Sequence, residues 1–471
     1  MDRQGETIDF RAIRGGLLLT QLLIWPGAFA HTQDRPAVLD GVEVGPQRHV
    51  SADLPNLPHV EPVIAVNPRD SRHLVAAAIV IPDPTSHRFY ETWNVQVLVS
   101  TDAGATWMRR ELPRLKGMFS ADPWLAWADD GTLYLSCIAR LGDASGRRPR
   151  AWQFRSPDGG HTWSEPEQVP LGDITWVDHP VLRAVPGGGI HLFATGDAPD
   201  SPVPPGRMVP SPRRLAGSHA PGGGAGLAPV PGYRPQGNSH MGSGVAFEHG
   251  RFVLSYFTLR SSQPSPLWAA RSRDSGRSYQ QSMITAEHVP FLFPMMAAGR
   301  TKASEHHRVY AVWTRSYERP HVMIGYSDDF GATWSAPRRV HADSSRAFRI
   351  APTVAVSDSG NVAVVWVESR LHQELSADSL RAFPQAESSV DCWDVYTTVS
   401  RDGAGTFSPP IRLTPETTCS NAPGNGEAGR RWRYGGDYLG AAWDSEGGFH
   451  PLWADSRTGT YQLWTARLVM K

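Results

Sequence analysis

The chain has 471 residues, with 46 Lys+Arg against 46 Asp+Glu, 40% hydrophobic and 20% charged residues. A formal charge of zero excludes a broad basic surface built to hold nucleic acid, and the composition excludes a disordered chain. Gly 45, Pro 40 and Trp 17 are the profile of an all-β protein with short strands; a single core stops growing beyond roughly 250–300 residues, so the chain is multidomain or a repeat array.

At the N-terminus, Arg3, Arg11 and Arg14 precede an apolar run from Gly15 to Trp25, and Ala28-Phe29-Ala30 follows Pro26. A positive segment, a short apolar run and an A-x-A ending are the parts of a secretory signal peptide. The run is well short of the ~20 residues that span a bilayer. The expectation is a signal peptide over residues 1–30 and a mature chain over 31–471. That chain is expected to be secreted or periplasmic, monomeric and without stable membrane insertion. Cys392 and Cys419 lie in one region and could bond in an oxidising compartment. Cys137 sits in an apolar strand and reads as a buried thiol, and no Cys/His spacing resembles a zinc site.

Along the mature chain an octapeptide recurs. It runs Ser100 to Trp107, Ser156 to Trp163, Ser272 to Tyr279 and Ser327 to Trp334, with a degenerate copy from Ser400 to Phe407. Its pattern is S-x-D-x-G-x-[TS]-aromatic. Ser and Asp oxygens accept turn amides, Gly permits positive φ, and the aromatic begins a strand that packs inward. Each turn follows two apolar or alternating strands and a third that enters it. First strands start near Val60, Pro123, Pro180, Gly242, Pro294, Ile350 and Tyr438. A spacing of roughly 50–90 residues suits one four-stranded blade per unit. The fold expected is therefore an all-β β-propeller of four-stranded antiparallel blades, seven by this count, with six the alternative. Its last unit lacks an outer strand, which Val42-Glu43-Val44 and its neighbours are expected to supply, so that both termini share one blade and no edge stays open. One unit is irregular: after Leu192-Phe193-Ala194-Thr195 a Pro/Gly-rich stretch without periodicity, about residues 197–237, reads as a loop insertion.

The octapeptide is the Asp-box, or BNR repeat, so the chain resembles the sialidase superfamily of Asp-box propellers over nearly all of its mature length. The resemblance implies boxes on the outer rim, away from the ligand face. It leaves function to the site, because the same turn occurs in sialidases, other glycosidases and non-enzymatic propellers.

In a propeller the residues before strand one and at the end of strand two line the funnel. The first set is Asp122, Asp178-His179, His240, Arg349 and Asp437-Tyr438; the second is Arg140, Arg260, Arg315, Glu368 with Arg370, and Asp455 with Arg457. Strand-end guanidinium groups match a carboxylate bidentately. The resemblance implies an arginine clamp on the carboxylate of a terminal acidic sugar, a Tyr nucleophile activated by a Glu, and an Asp acid/base in retaining hydrolysis. Phe348-Arg349-Ile350-Ala351-Pro352 is similar to the family's F/Y-R-I-P motif, although it opens the sixth unit rather than the first and has one residue inserted before the proline. On this reading Arg349, Arg315 and Arg370 form the clamp, with Arg457, His179, His240 and Asp437 as further substrate-binding candidates. Tyr438 is the nucleophile, Glu368 its base, and Asp178 or Asp122 the acid. No cofactor or metal is called for, and the partner is a carbohydrate or glycoconjugate. Two other readings stand beside it. One is a non-catalytic propeller binding glycan or protein. The other is a lyase on uronic-acid polymers, with His179 or His240 and a Tyr moving protons. The repeated Trp366-Val-Glu368-Ser-Arg370 and Trp453-Ala-Asp455-Ser-Arg457 also suit salt bridges between blades, and Trp124, Trp313 and Trp366 suit inter-blade core.

Overall fold

A computed structural model describes residues 37–471 apart from 40, 87–90, 116–117, 141–148, 175, 186–188, 198–212, 221–225, 236–238, 259–264, 290–292, 302–303, 316–319, 343–346 and 370–391. The expected signal peptide and Arg370 lie outside the described residues. Seven antiparallel sheets follow one another around a ring. Their inner strands are His59–Asn67, Ser120–Trp127, Trp176–Val185, Ser239–Phe247, Met295–Thr301, Phe348–Val356 and Gly440–Trp443. Each agrees with a start read from the sequence. Between blades lie the largest sealed side chains, among them Trp313, Trp366, Trp393 and Trp453.

The irregular unit is a complete blade. The stretch read as a loop insertion contributes its third and fourth strands, Arg213–Ala220 and Ala228–Tyr233, which pair in register with Gly189–Asp197 and with each other. Ring closure uses both termini, with the strands dealt differently from the expectation. Arg48–His49 is the outer strand of the last blade, against Gln462–Thr465, while Val42–Val44 pairs with Leu468–Met470. Cys392 and Cys419 form a disulfide, and Cys137 is a buried free thiol.

The octapeptide turns are closed by their own side chains. In the fourth copy Ser327 Oγ donates to Asp329 Oδ1 at 2.8 Å and accepts the Gly331 N–H at 2.7 Å. Asp329 also accepts the amides of Ala332 and Thr333 and the Thr333 hydroxyl. Burial acts upward on this carboxyl, but the Thr333 and Ser327 hydrogen bonds hold it down, at about 2. Asp329→Ala leaves four donors without this acceptor at once. The expected result is a loss of about 1–2 kcal/mol in denaturant unfolding, with no change of fold.

Four inner strands begin with the same distortion. Glu61, Asp122, His179 and Ala351 have φ of 54°, 52°, 53° and 50°, and each precedes a proline: Pro62, Pro123, Pro180 and Pro352. The pairing register slips at each of these points. Proline brings no N–H to the ladder and drives the residue before it out of the right-handed helical region. The strand bulges there and re-aims the preceding side chain. Four of the seven blades thus present one residue apiece at the same level of the funnel.

Candidate functional site

The bulges bring carboxylates together. Asp122 Oδ2 accepts the backbone N–H of His179 at 3.0 Å, so the first strands of blades two and three are tied at the mouth. Glu61 Oε1 accepts the indole N–H of Trp432 at 2.7 Å. Trp432 follows the short helix Gly426–Arg431, and its carbonyl accepts the Tyr461 hydroxyl at 2.7 Å, which fixes this connection between blades six and seven. The same helix ends in Arg431, whose Nη2 lies 3.1 Å from Asp437. Tyr438 is next in sequence and 2% exposed, with its ring 5.7 Å from Trp124 and 5.6 Å from His179.

The electrostatics follow from crowding acids in a dry place. Burial, then the charges of Asp437 and Asp122, push Glu61 well above the usual carboxylate range. Burial, then the charge of Asp178, push Asp122 up to about 7. Burial and the charges of Glu61, Asp122 and Asp437 likewise raise the Tyr438 hydroxyl. Two sealed polar atoms of this group, Glu61 Oε2 and Tyr438 Oη, make no well-formed hydrogen bond, although Glu61 lies within reach of both Tyr438 and Asp122. Unsatisfied buried polar atoms are costly and call for an explanation, of which a catalytic role is one.

The other predicted residues are placed as follows. Asp178 holds His240, its Oδ2 3.1 Å from Nε2, and is partly exposed. His179 is sealed, stacked on Phe293 at 4.2 Å, with Nε2 on the Gly242 carbonyl at 2.8 Å. Burial and the neighbouring His240 lower its pKa to about 3, so it is neutral. Of the funnel-lining arginines, Arg140 lies over the Phe119 ring at 4.6 Å with a sealed Nε that meets no acceptor, Arg260 lies outside the described residues, and the other described ones are already engaged. Arg349 is 1% exposed on its side chain, directly opposite Glu368 in the strand register, and its Nε donates to Glu368 at 2.9 Å. Arg315 pairs with Glu287 at 3.3 Å. Arg457 forks onto Asp455, hydrogen-bonds Gln47 and lies over Trp464 at 4.1 Å.

Two expectations are therefore corrected. Glu368, taken as the base for Tyr438, is drawn to Arg349 because the two face each other across one hairpin. The carboxylates acting on Tyr438 are Glu61, Asp122 and Asp437. The pair in Trp453-Ala-Asp455-Ser-Arg457 closes within its own motif, whereas Glu368 reaches instead for the arginine across the hairpin. Trp124, expected in the inter-blade core, is half-buried beside Tyr438 and His179. Glu61 is the residue the sequence reading missed. Its signal was present: Glu61-Pro62 occupies the place that Asp122-Pro123 and His179-Pro180 occupy in the next two units.

Sealed histidines also set the acid response. Burial lowers His59 to about 4 and His179 and His191 to about 3. A histidine depressed in the folded state contributes stability that is complete above its unfolded value of about 6.5 and is lost as the pH falls towards the folded one. Asp122 and Glu61, raised in the folded state, act in the opposite sense. His49, His73, His219, His307 and His450 are lowered by burial as well, so the histidines prevail. Stability is expected to fall from pH 6.5 to pH 4, each fully depressed histidine adding about 1.4 kcal/mol per pH unit. His191, whose two ring nitrogens have no partner, gives the check: His191→Phe flattens the melting temperature against pH on this limb.

No protein-family model and no curated protein matches this sequence. Solved structures do. A Dyadobacter fermentans protein of unknown function is 13% identical, with 92% of this chain and 100% of that chain covered and a TM-score of 0.50. A Hadza microbial sialidase is 18% identical over 66% of this chain and 63% of its own, at a TM-score of 0.48. Trypanosoma rangeli sialidase is 11% identical over 87% of this chain and 55% of its own, at 0.41. At these identities the likeness is one of fold alone.

Proposed function

We propose that the funnel mouth is the active site of a retaining glycoside hydrolase of sialidase-like type, with Tyr438 as nucleophile, Glu61 as its proton acceptor and Asp122 as acid and then base. The observation that carries this reading is the cluster of sealed Tyr438 and Glu61 with half-buried Asp122, held by three different blades, in which Glu61 Oε2 and Tyr438 Oη are closed to solvent. Carboxyls crowded in this way share protons rather than all ionising. In the reactive form Asp122 holds a proton for the leaving oxygen, and Glu61 takes the proton of Tyr438 as the hydroxyl attacks the anomeric carbon. Asp122 then draws a proton from water as the water oxygen attacks the anomeric carbon; the bond to the Tyr438 oxygen breaks, and Glu61 returns its proton to that oxygen. The Tyr438 oxygen is closed to solvent, so substrate entry requires a displacement at the mouth. For an acidic sugar the guanidinium on offer is Arg431, 40% exposed on its side chain and held by Asp437. Arg349 and Arg457 are too deeply buried and Arg315 is shared with Glu287.

The lyase reading draws on His179, neutral and close to Tyr438, but its stacking on Phe293 and its bond to the Gly242 carbonyl fit a packing residue better. The octapeptide turns and the apolar N-terminal run support an exported sialidase-like propeller, and the Cys392–Cys419 bridge suits the oxidising compartment that export implies. The test is release of the fluorophore from an aryl α-sialoside and from neutral aryl glycosides by the purified protein. Turnover lost in Asp122→Asn and in Tyr438→Phe supports a hydrolase. Folded protein without turnover on any of them favours the binding reading.

A further inference from the structure

The inner strands enclose a channel on the propeller axis, about 360 Å³ in volume. Its walls are apolar side chains and backbone, among them Val63, Leu125, Val245 and Val354, and among the described residues one ionised side chain lines it, Arg183. That guanidinium has no carboxylate partner among the described residues. Its Nε donates to the Gly244 carbonyl at 2.8 Å, Nη1 to the Leu182 carbonyl at 3.2 Å, and Nη2 more weakly to the Met296 carbonyl at 3.5 Å. Its carbon lies 5.0 Å from the centre of the Trp124 ring. The other face of the site is thus separated from this cation by a single indole.

Carbonyl dipoles orient an arginine but do not neutralise it. Arg183 is half-buried, and a cation partly withdrawn from water without a counter-charge is disfavoured; burial lowers its pKa, to about 10. A guanidinium has five N–H groups, of which the three carbonyls take three. Two remain on a side chain that borders a space wide enough for a hydrated ion.

We propose that the axial channel is an anion site, in which the free N–H groups of Arg183 hold one small monovalent inorganic anion of the chloride class. One uncompensated positive charge calls for one negative charge. Apolar walls without a second cation disfavour a divalent anion such as sulfate, whose extra charge would go unmatched. The site lies below the funnel floor formed by Trp124 and is separate from the carboxylate cluster at the mouth.

The full chain in gluconate buffer, titrated with chloride or bromide at constant ionic strength, is expected to show a saturable rise in melting temperature of about 2–4 °C. Sulfate at equal ionic strength is expected to give no saturable rise. Arg183→Met is expected to lose the halide response. Crystals of the wild-type protein soaked in bromide are expected to show an anomalous peak in the channel at the Arg183 fork. A flat halide titration, a response kept by Arg183→Met, or bromide crystals with no peak in the channel overturns the proposal. If Arg183→Met does not fold, the bromide crystals of the wild-type chain decide it.

Discussion

Tyr438→Phe is expected to reduce glycoside turnover about 10³-fold or more while leaving the melting temperature unchanged or slightly higher. The two halves of this result have one cause. The phenol oxygen sits sealed in the interior beside Glu61 without a well-formed hydrogen bond, so the native protein bears its desolvation with little return in stability. Removing it takes an unsatisfied polar atom out of the core and leaves an isosteric ring against Trp124 and His179. A purely structural tyrosine would behave in the opposite way, costing stability on losing its hydroxyl and leaving any activity intact. The measurement is steady-state turnover on the active aryl glycoside beside a thermal melt of the same preparation. Wild-type turnover in the variant would remove Tyr438 from the chemistry and with it the reading of the funnel mouth.

Arg349→Ala is expected to cost about 3–5 kcal/mol in denaturant unfolding, the price of breaking an ion pair in the interior. Both side chains of the Arg349–Glu368 pair are at most 5% exposed. The variant leaves Glu368 without that guanidinium and opens a void where a large, fully buried side chain stood. Replacing both partners, Arg349→Met with Glu368→Leu, removes the charges together and is expected to recover most of the loss. The same residue distinguishes two roles. A clamp on a substrate carboxylate would show itself as a raised KM in a protein of unchanged stability, whereas a strut shows an unfolding midpoint moved to lower denaturant in a protein that binds as before.

The architecture was legible because it is written in repeats. Five octapeptides mark five hairpin turns, and seven apolar starts mark seven inner strands. Both signals are local, since a serine and an aspartate cap their own turn whatever surrounds them. The third blade hid two strands because Arg213–Ala220 and Ala228–Tyr233 carry Gly, Pro and polar residues where strands usually carry β-branched ones, and their pairing comes from neighbours rather than propensity. The site was half legible. Asp122, Asp178, Asp437 and Tyr438 follow from strand starts, but Glu61 escapes because a first strand starting near Val60 places it inside the strand rather than before it. Partner choice was not legible at all. Whether Glu368 faces Tyr438 or Arg349 depends on a hairpin register that the side-chain pattern leaves open.

The shared last blade has a consequence for how the molecule is made. The His49–Gln462 hydrogen bond joins residues 413 positions apart, and Ser51 meets Gln462 in the same seam. Contacts of such sequence separation are slow to form, because nearly the whole chain must be organised before its ends can meet. Six blades can assemble from neighbouring segments as these emerge, but the seventh waits for Gln462–Thr465 and Leu468–Met470 to join Arg48–His49 and Val42–Val44. Until then the circle is an open arc with two exposed sheet edges, the form most exposed to proteolysis and to pairing with another chain. The clasp is thus a quality check written into the connectivity: only a chain that carries both Val42–His49 and Gln462–Met470 can finish its last blade.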